Sequence, residues 1–342
     1  MINKIINVYK KYKFIPATKN IIYHWNTRER KKSFGKSNPD KIFYVIRPID
    51  FASPFYIGAE LHLLANYFYV LSHLPYAQEK GWIPVIDQQN YPVYNSLPNA
   101  IYGTKNAWEY YWQQPYHYEL SEVYKSENVV LSKQNWFSEW DMGYNIDNYT
   151  DKKIISFYNN LSKFFQLQPH IQEHIEKRIN NIFPKGKKVL GVSVRYVGYS
   201  RRSYYQAPGH PIAPELGELI EIVKKRYEEW GMDLIFLASD DQDSIGLFKT
   251  VFGEKLKFLL RNRTDTSKKY DKQNINPLYW ENNIYQTSLS YLTEMELLAK
   301  CNGLIGSVTS GLRYAIIKNN NKYEHVEIID NGKFPNFNKN NE

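Results

Sequence analysis

The chain contains a single cysteine, Cys301, in 342 residues. One cysteine excludes an internal disulfide and any metal site built from several thiolates, and it is typical of a reducing compartment. No apolar run reaches the roughly 18 residues that a membrane-spanning helix needs. The N-terminal residues also lack the apolar core and cleavage site of a signal peptide. The sequence therefore predicts a globular protein of the cytoplasm.

The common nucleotide and metal motifs are missing as well. No glycine-rich turn carries the Lys-Ser/Thr pair of a P-loop, and no dinucleotide-binding fingerprint is present. The eight histidines show no metal-ligand spacing apart from His170 and His174, which lack the acidic partners of a zinc protease. These absences exclude the P-loop NTPases, the dinucleotide-dependent oxidoreductases and the zincins.

Acidic residues are scarce at the N-terminus. Residues 1–36 hold ten Lys and Arg against Glu29 alone, a balance of +9 that equals the net charge of the whole chain. The remaining residues are neutral in sum, so we expect no nucleic-acid partner beyond non-specific contact. Basic residues mixed with bulky apolar ones favour binding to an anionic membrane face. The alternative is a helix that packs on the body and turns its lysines to water.

The length of the chain exceeds that of one ordinary domain, and strands alternate with helices in the C-terminal half, which is typical of a parallel sheet covered by helices. We predict an α/β fold of two Rossmann-like domains that face a cleft. The predicted segments are a basic amphipathic arm (1–36), an N-terminal acceptor-side domain (37–183), a C-terminal nucleotide-sugar-binding domain (184–332) and a disordered tail (333–342).

The stretch from Lys188 to Pro211 carries the strongest local signal. Its apolar run, Val189 to Val194, predicts a strand buried on both faces, and Arg195 stands at the carboxyl end of that strand, where open α/β sheets bind ligands. An arginine followed by the basic loop residues Arg201 and Arg202 indicates a phosphate site. A surface loop with solvated charges is the alternative.

Three further polar clusters follow strands or lie near them in the C-terminal half. Asp240 and Asp241 follow a predicted strand, where they either cap the next helix or, as the pair Asp241 and Asp243, hold a divalent metal. Glu294 and Glu296 flank the apolar stripe of a helix symmetrically, so periodicity does not choose between them. The third cluster lies between a strand and a helix, where backbone N–H groups can face a phosphate; it consists of Thr309, Ser310 and Gly311.

Together these segments resemble the α1,6-fucosyltransferases and the rhizobial nodulation fucosyltransferases. Gly191 to Arg195 with His210-Pro211-Ile212 is similar to their first signature, Leu237 to Asp241 to their second, and Glu294 to Ser310 to their third. Gly58 to His62 resembles an element of their N-terminal domain. Bacterial capsule-cluster glycosyltransferases are a closer resemblance, through loops ending in Gly-His-Pro-Ile and segments like Asn106 to Pro115. The resemblance covers roughly residues 42–330.

The resemblance implies a GT-B fold, a GDP-linked sugar donor, no cofactor or metal, and inversion at the anomeric carbon. It implies that Arg195 contacts the donor diphosphate, that Asp240 or Asp241 lies on the guanine or ribose side, and that Glu294, rather than Glu296, lies near guanine. Thr309 and Ser310 would bind phosphate oxygens. The complete set of expected donor-binding residues is Arg195, Tyr196, Arg201, Arg202, His210, Asp240, Asp241, Glu294, Thr309, Ser310 and Gly311.

The sequence departs from this family at the site itself. Tyr196 stands where the family has a second arginine, and Ser193 where it has a histidine. Residues 196–209 contain no acid, although an inverting transferase needs a base for the acceptor hydroxyl. The candidate catalytic residues are therefore Arg195 for the leaving diphosphate and, as bases that the sequence leaves unranked, Asp50, Glu60 and Glu281.

The leading hypothesis is an inverting, metal-independent glycosyltransferase of the cytoplasmic membrane face. It would move a sugar, with fucose as the first one to test, from a GDP donor onto a bacterial surface glycan such as capsule or lipopolysaccharide, or onto a lipid-linked precursor. The alternatives are a metal-dependent transferase that uses Asp241 and Asp243, and a non-catalytic protein that binds nucleotide sugars or glycans on the same fold.

Overall fold

The computed structural model describes residues 27–49, 62–91, 97–137, 145–196, 201, 206, 208–261 and 284–335. Within these ranges the strands are β1 Arg30–Lys32, β2 Phe43–Ile46, β3 Ile83–Ile86, β4 Val129–Leu131, β5 Val189–Val194, β6 Leu234–Ser239, β7 Leu256–Lys257, β8 Gly303–Ser307 and β9 His325–Ile329. The α-helices are α1 Leu63–Glu79, α2 Leu120–Val123, α3 Asp147–Thr150, α4 Lys152–Ser162, α5 Pro169–Ile182, α6 Leu216–Glu229, α7 Gln242–Phe252, α8 Ile284–Leu298 and α9 Ser310–Asn319. Strands and helices alternate as the sequence predicts, and the prediction of a mixed α/β protein with parallel sheets is confirmed.

The chain forms two compact units. One comprises Met1–Asp141 with Phe164–Gln166, and the other Met142–Lys163 with Leu167–Glu342. The predicted boundary after residue 183 assigned α4 and α5 to the N-terminal domain, whereas their contacts lie in the second unit. There α4 packs on α9 and α5 packs on α8, and the Asn159 amide donates to the Ile317 carbonyl at 2.7 Å. The amphipathic pattern of these helices does not reveal which sheet they cover.

The first unit is built on a four-stranded sheet in the order β1-β4-β2-β3. The strands β2, β3 and β4 are parallel, and β1 is an antiparallel edge strand beside β4. This corrects the predicted extent of the basic arm, because residues 27–36 belong to the first unit and β1 is part of its sheet. Exposed lysines such as Lys31 and Lys32 suit an edge strand, since their charge discourages pairing with other chains. Residues 1–26 lie outside the described part.

A group of aromatic residues packs together in the core of the first unit. The Trp108 ring lies 4.7 Å from those of Trp112 and Phe165, measured between centroids, and Tyr67 of α1 stacks on the same group. Each of these four side chains is almost fully buried. The tryptophans of the segment Asn106 to Pro115 therefore form the core of the unit and are not a platform for stacking sugars.

The polar residues of that segment complete the edge of the sheet. The Gln114 side chain accepts from the Ile86 N–H and donates to the Ile86 carbonyl, both at 2.8 Å. The Asn106 amide also donates to the Ile86 carbonyl, and its oxygen accepts from the Trp108 N–H, which makes Asn106 the N-cap of a short 3₁₀ turn. These amides satisfy backbone groups that an edge strand would otherwise leave open.

The second unit has five parallel strands in the order β7-β6-β5-β8-β9. The chain starts in the centre with β5, adds β6 and β7 on one side, and then crosses over to add β8 and β9 on the other. The order reverses between β5 and β8, which makes this pair the topological switch point of a doubly wound sheet. The crevice outside the carboxyl ends of these strands is where such sheets bind ligands.

Alternation along β5 directs its side chains to two helical layers. Leu190, Val192 and Val194 share a buried cluster with α6 and α7. Gly191 and Ser193 face the opposite side, where α8 packs closely. A Cβ atom on Gly191 would lie 2.9 Å from Leu298 Cδ2 and 3.0 Å from Cys301 Sγ. The glycine of the first signature therefore lets α8 approach the central strand.

The C-terminal segment is ordered further than predicted. Phe334 is buried, its N–H donates to the His210 carbonyl at 2.9 Å, and its carbonyl accepts from the Gly209 N–H at 2.9 Å. The predicted disordered tail therefore cannot begin at residue 333, because this segment pairs with the end of the loop after β5. Residues 336–342 lie outside the described part. Across the described ranges, no helix combines the length and the hydropathy needed to cross a membrane.

Candidate donor site at the carboxyl edge of the second sheet

A cavity that is open to solvent lies at the carboxyl edge of the second sheet. It brings together residues from the ends of β5 and β6, from the start of α9, from one side of α8, and from the residues that follow β7. Its lining comprises Ser193, Val194, Arg195, Ala238, Ser239, Asp240, Arg261, Tyr291, Glu294, Met295, Thr309 and Gly311. The three C-terminal sequence signatures thus converge on one place.

Arg195 is held at the cavity by the aspartate that follows the neighbouring strand. Its guanidinium forms an ion pair with Asp240, and the two side chains are 24% and 11% exposed. The second oxygen of that carboxylate accepts from the Tyr196 N–H at 3.0 Å. One carboxylate therefore fixes both the Arg195 side chain and the peptide after it, and the guanidinium remains partly accessible.

Asp241 has a different role from its neighbour. Its Oδ2 accepts from the Ser244 N–H at 2.7 Å and from the Ser244 hydroxyl at 2.6 Å, and it is the N-cap of α7. The carboxylate is almost fully buried and does not line the cavity. This geometry favours the capping interpretation of Asp241 over the metal-binding one. In the described residues, no group of three or more His, Cys, Asp and Glu is placed to hold a metal ion.

Glu294 and Glu296, which helical periodicity leaves equivalent, lie in different surroundings. Glu294 lines the cavity and forms an ion pair with Arg261, whose Nη2 lies 2.7 Å from Glu294 Oε2. Glu296 accepts from the Tyr314 hydroxyl of α9 at 2.6 Å and takes no part in the cavity wall. Of the two, Glu294 is therefore the candidate site residue, and its carboxylate is already engaged by an arginine.

The first turn of α9 closes the cavity on the side of β8. Thr309 is the N-cap, with its hydroxyl accepting from the Leu312 N–H at 3.1 Å. A Cβ atom on Gly311 would lie 2.6 Å from the Tyr291 hydroxyl and 2.7 Å from Met295 Sδ, so glycine permits α8 to pack against this turn. The N-terminus of a helix carries partial positive charge and unpaired N–H groups, which suits an anion.

Several predicted donor-binding residues are not part of the cavity lining. Tyr196 is buried in the core of the second unit, and its hydroxyl donates to the Pro214 carbonyl at 2.7 Å, so the structure corrects its expected role as a side-chain contact. Arg201 is exposed. His210 lies 3.1 Å from the Pro208 carbonyl through Nδ1, and Ser310 opens α9 beside the two lining residues of that turn.

Four other predicted site residues lie outside the described part. These are Arg202 of the loop after β5 and the three candidate bases, Asp50, Glu60 and Glu281. Their roles stay predictions.

The cavity also contains residues that were not predicted to bind a donor, namely Arg261, Tyr291 and Met295. Arg261 lies shortly after β7, so its position after a strand is the same signal that identified Arg195. In the sequence, Tyr291 and Met295 belong to the apolar stripe of the helix that carries Glu294, and such a stripe does not distinguish site residues from core residues. Behind the cavity, burial raises the pKa of the Cys301 thiol well above its ordinary value, which keeps the thiol protonated and unreactive.

No protein-family model matches the chain, and no curated protein does. Among solved structures it is similar to NodZ alpha-1,6-fucosyltransferase soaked with GDP-fucose, with 13% identity and a TM-score of 0.45 over 81% of this chain and 92% of that one. It is similar to POFUT1 in complex with GDP, with 10% identity and a TM-score of 0.43 over 84% of this chain and 98% of that one. It is also similar to a mutant of Arabidopsis thaliana FUT1 in complex with GDP, with 10% identity and a TM-score of 0.45 over 86% of this chain and 71% of that one. All three are fucosyltransferases, the class whose motifs the sequence resembles.

Proposed function

We propose that the protein is a glycosyltransferase that binds a GDP-linked sugar at the carboxyl edge of its second sheet. The observation that carries this proposal is the convergence of the three C-terminal signatures on one cavity at the switch point between β5 and β8. The signatures are spread over residues 191–310 of the sequence, and each is a weak signal alone. Their meeting at the place where doubly wound sheets bind nucleotides supports a shared role.

Arg195 would act on the diphosphate leaving group. As the bond between sugar and phosphate oxygen breaks, negative charge grows on the diphosphate, and a fixed cation stabilises that charge more in the transition state than in the ground state. Asp240 already orients the guanidinium, so little reorganisation is needed during the reaction. Backbone N–H groups at the start of α9 would donate to the same phosphates.

The finer features of the proposal follow the sequence resemblance. The two units would face a cleft in a GT-B arrangement, with the acceptor on the first unit. Transfer would invert the anomeric carbon without a metal ion, and Asp50, Glu60 or Glu281 would take the proton of the acceptor hydroxyl. Fucose is the first sugar to test, because it is the sugar that the resembled family transfers.

The acceptor would be a bacterial surface glycan, such as capsule or lipopolysaccharide, or its lipid-linked precursor at the cytoplasmic face of the inner membrane. Residues 1–26 carry five lysines and no acid among many bulky apolar residues. A basic segment of this kind would hold the enzyme at an anionic surface, where lipid-linked acceptors lie.

Calorimetric titration with GDP tests the donor site. We expect saturable binding to the wild-type protein and a roughly 10- to 100-fold weaker affinity for Arg195→Ala, which is the cost of losing hydrogen bonds to a charged group. Arg226→Ala is the matched control, because Arg226 is also ion-paired but lies on α6 away from the cavity. An affinity for GDP that Arg195→Ala leaves unchanged would contradict the proposed role.

A second candidate function is non-catalytic binding of nucleotide sugars or glycans on the same fold. The observation that favours it is the lack of any acid in residues 196–209, where the resembled family carries a candidate base. Donor turnover distinguishes the two functions. Release of GDP from GDP-fucose or another GDP-sugar, with or without acceptor glycans, supports the enzyme, whereas binding without release in any combination supports the binding protein.

A further inference from the structure

A second arginine, Arg261, reaches the same cavity as Arg195 from the residues after β7. Its Nε and Nη2 donate to the two oxygens of Glu294 at 2.9 and 2.7 Å, and Nη2 also donates to the Ser239 carbonyl at 2.9 Å. The Arg261 side chain is 11% exposed and that of Glu294 1%. A bidentate pair of this kind fixes the plane of the guanidinium, so Arg261 is a rigid part of the cavity wall.

The pair changes which chemistry the cavity presents to a ligand. Both oxygens of the Glu294 carboxylate accept from Arg261, and the carboxylate is almost completely shielded from solvent. A guanidinium carries five N–H donors and no acceptor, and Arg261 is part of the cavity wall. At this position a ligand therefore meets N–H donors, whereas the sequence resemblance implies that the Glu294 carboxylate itself lies near guanine.

The charges of the cavity are arranged as two neighbouring ion pairs. Asp240 holds Arg195 and Glu294 holds Arg261, so both guanidinium groups are ordered before any ligand arrives. Preorganisation of this kind reduces the entropic cost of binding. Tyr196, which stands where the resembled family has its second arginine, is buried with its hydroxyl on Pro214. The second guanidinium of this cavity comes instead from the end of β7.

We propose that Arg261 contacts the nucleotide of the donor directly, and that Glu294 is a positioning residue that acts through it. This inference rests on the proposed function and adds a specificity-determining residue to it. The group that Arg261 binds must carry hydrogen-bond acceptors, as do the phosphate oxygens of GDP and the O6 and N7 edge of guanine. The phosphates and the guanine edge both offer acceptors, and titration with GMP and guanosine distinguishes between them.

The main test removes both charges of the pair at once. Arg261→Met/Glu294→Leu leaves no buried charge unpaired, and replacing such a pair with apolar residues of similar volume is often neutral for stability. Arg226→Met/Glu327→Leu is the matched control, because it removes another ion pair of the second unit outside the cavity. Titration with GDP should show a roughly 10- to 100-fold loss of affinity for the first variant and an unchanged affinity for the control.

A folded Arg261→Met/Glu294→Leu variant with wild-type affinity for GDP would overturn the inference. Arg261→Lys provides a second variant in case that protein does not fold, since it keeps the charge beside Glu294 and loses the planar fork. It should bind GDP several-fold more weakly, and unchanged affinity would again overturn the inference. Titration of the variants with GMP and guanosine then separates the sources. A loss confined to phosphorylated ligands assigns Arg261 to the phosphates, and an equal loss with guanosine assigns it to the base.

The positioning role of Glu294 is tested by a double-mutant cycle. If Glu294 acts only through Arg261, then Glu294→Gln should weaken GDP binding in the wild-type background and add nothing in the Arg261→Met background. If Glu294→Gln still reduces the affinity for GDP in the Arg261→Met background, Glu294 contacts the nucleotide itself. That result would overturn the positioning role of Glu294. Absence of GDP binding to the wild-type protein would overturn the proposed function and this inference together, whereas wild-type binding that survives loss of the pair overturns only the inference.

Discussion

Asp240 and Asp241 are neighbours in the sequence but serve different parts of the second unit. Asp240 pairs with Arg195 at the cavity, and Asp241 caps α7 from within the core. The difference follows from the end of β6, where successive residues point to opposite sides. Asp240 thus lines the cavity, whereas Asp241, which the sequence leaves open to metal binding together with Asp243, has a structural role.

Asp241→Ala should therefore reduce stability and leave the nucleotide site intact. We expect a loss of about 1–2 kcal/mol in the free energy of unfolding, as for other N-caps, with GDP affinity within about twofold of wild type. Asp151→Ala, which removes the N-cap of α4, is the matched control and should show a similar loss. Urea denaturation and GDP titration measure the two quantities. Wild-type stability together with turnover that depends on Asp241 and is abolished by a chelator would instead support a metal role.

His73 of α1 is fully buried and lies 3.0 Å from the Tyr44 hydroxyl through Nδ1. Burial, with a smaller contribution from the positive charge of Lys133, lowers the pKa of His73 to about 3. The native pKa is below that of the unfolded chain, near 6.5, so between these values only the unfolded state binds a proton. This residue therefore stabilises the fold fully above pH ~6.5, and its contribution is lost as the pH falls toward ~3.

The lowered pKa of His73 gives a prediction for the pH dependence of stability. Between about pH 6.5 and pH 4, the free energy of unfolding should fall by up to about 1.4 kcal/mol per pH unit because of His73 alone. His73→Gln keeps a polar partner for Tyr44 and removes the titration, so its free energy of unfolding should vary less over that range. Urea denaturation at several pH values measures both proteins, and equal slopes would contradict the assignment.

At the scale of elements, the close approach of α8 to β5 determines the shape of the cavity. Gly191 permits this approach, since a side chain there would meet Leu298 and Cys301. The same helix carries Tyr291, Glu294 and Met295 to the cavity wall. The packing of one helix on the central strand therefore sets the position of one side of the site.

Gly191→Ala tests this packing. The added methyl group should cost about 1–3 kcal/mol in the free energy of unfolding, as overpacking in a dense core does, and should weaken GDP binding by displacing α8. Gly217→Ala in α6 is the control, because a Cβ atom there would have no other atom within 4 Å and alanine favours a helix. Thermal denaturation compares the two variants, and an equal effect would show that α8 does not pack as closely as described.

The sequence predicts the central elements well and the peripheral ones poorly, for physical reasons. The strand Val189–Val194 agrees with its predicted bounds, and Asp241 caps the helix that follows β6, as one of the two interpretations of the sequence has it, because continuous apolar runs and caps are local signals. The three-residue strand β1 lies in a basic segment without alternation, so only its pairing with β4 reveals it. The placement of α4 and α5 depends likewise on long-range contacts.

The residues of the candidate site also fall into two groups, those that the sequence identifies and those that it does not. The sequence identifies Arg195, Asp240, Glu294 and Thr309 because each stands at a strand end or in a recognisable signature. It does not reveal that Arg261 joins Glu294, because that pair forms only when α8 and the end of β7 meet at the cavity. The sequence likewise does not reveal that the Tyr196 side chain lies in the core rather than in the cavity lining, because its burial depends on the packing of the whole unit.

At the scale of the whole molecule, the charge of the chain is concentrated at its N-terminus. Deleting residues 1–26 should reduce sedimentation of the protein with anionic vesicles, since each lysine near such a surface contributes about 1 kcal/mol. Vesicles of neutral phosphatidylcholine are the control, and added salt should release the full-length protein by screening these charges. Equal sedimentation of both proteins with anionic vesicles would contradict a role of this segment in membrane binding.

The central claim is that the cavity at the carboxyl edge of the second sheet holds the donor nucleotide. A crystal structure of the full chain with GDP tests it most directly. The account predicts a diphosphate within hydrogen-bonding distance of the Arg195 guanidinium and of the backbone N–H groups at the start of α9. A nucleotide bound elsewhere on the protein, with this cavity unoccupied, would contradict it.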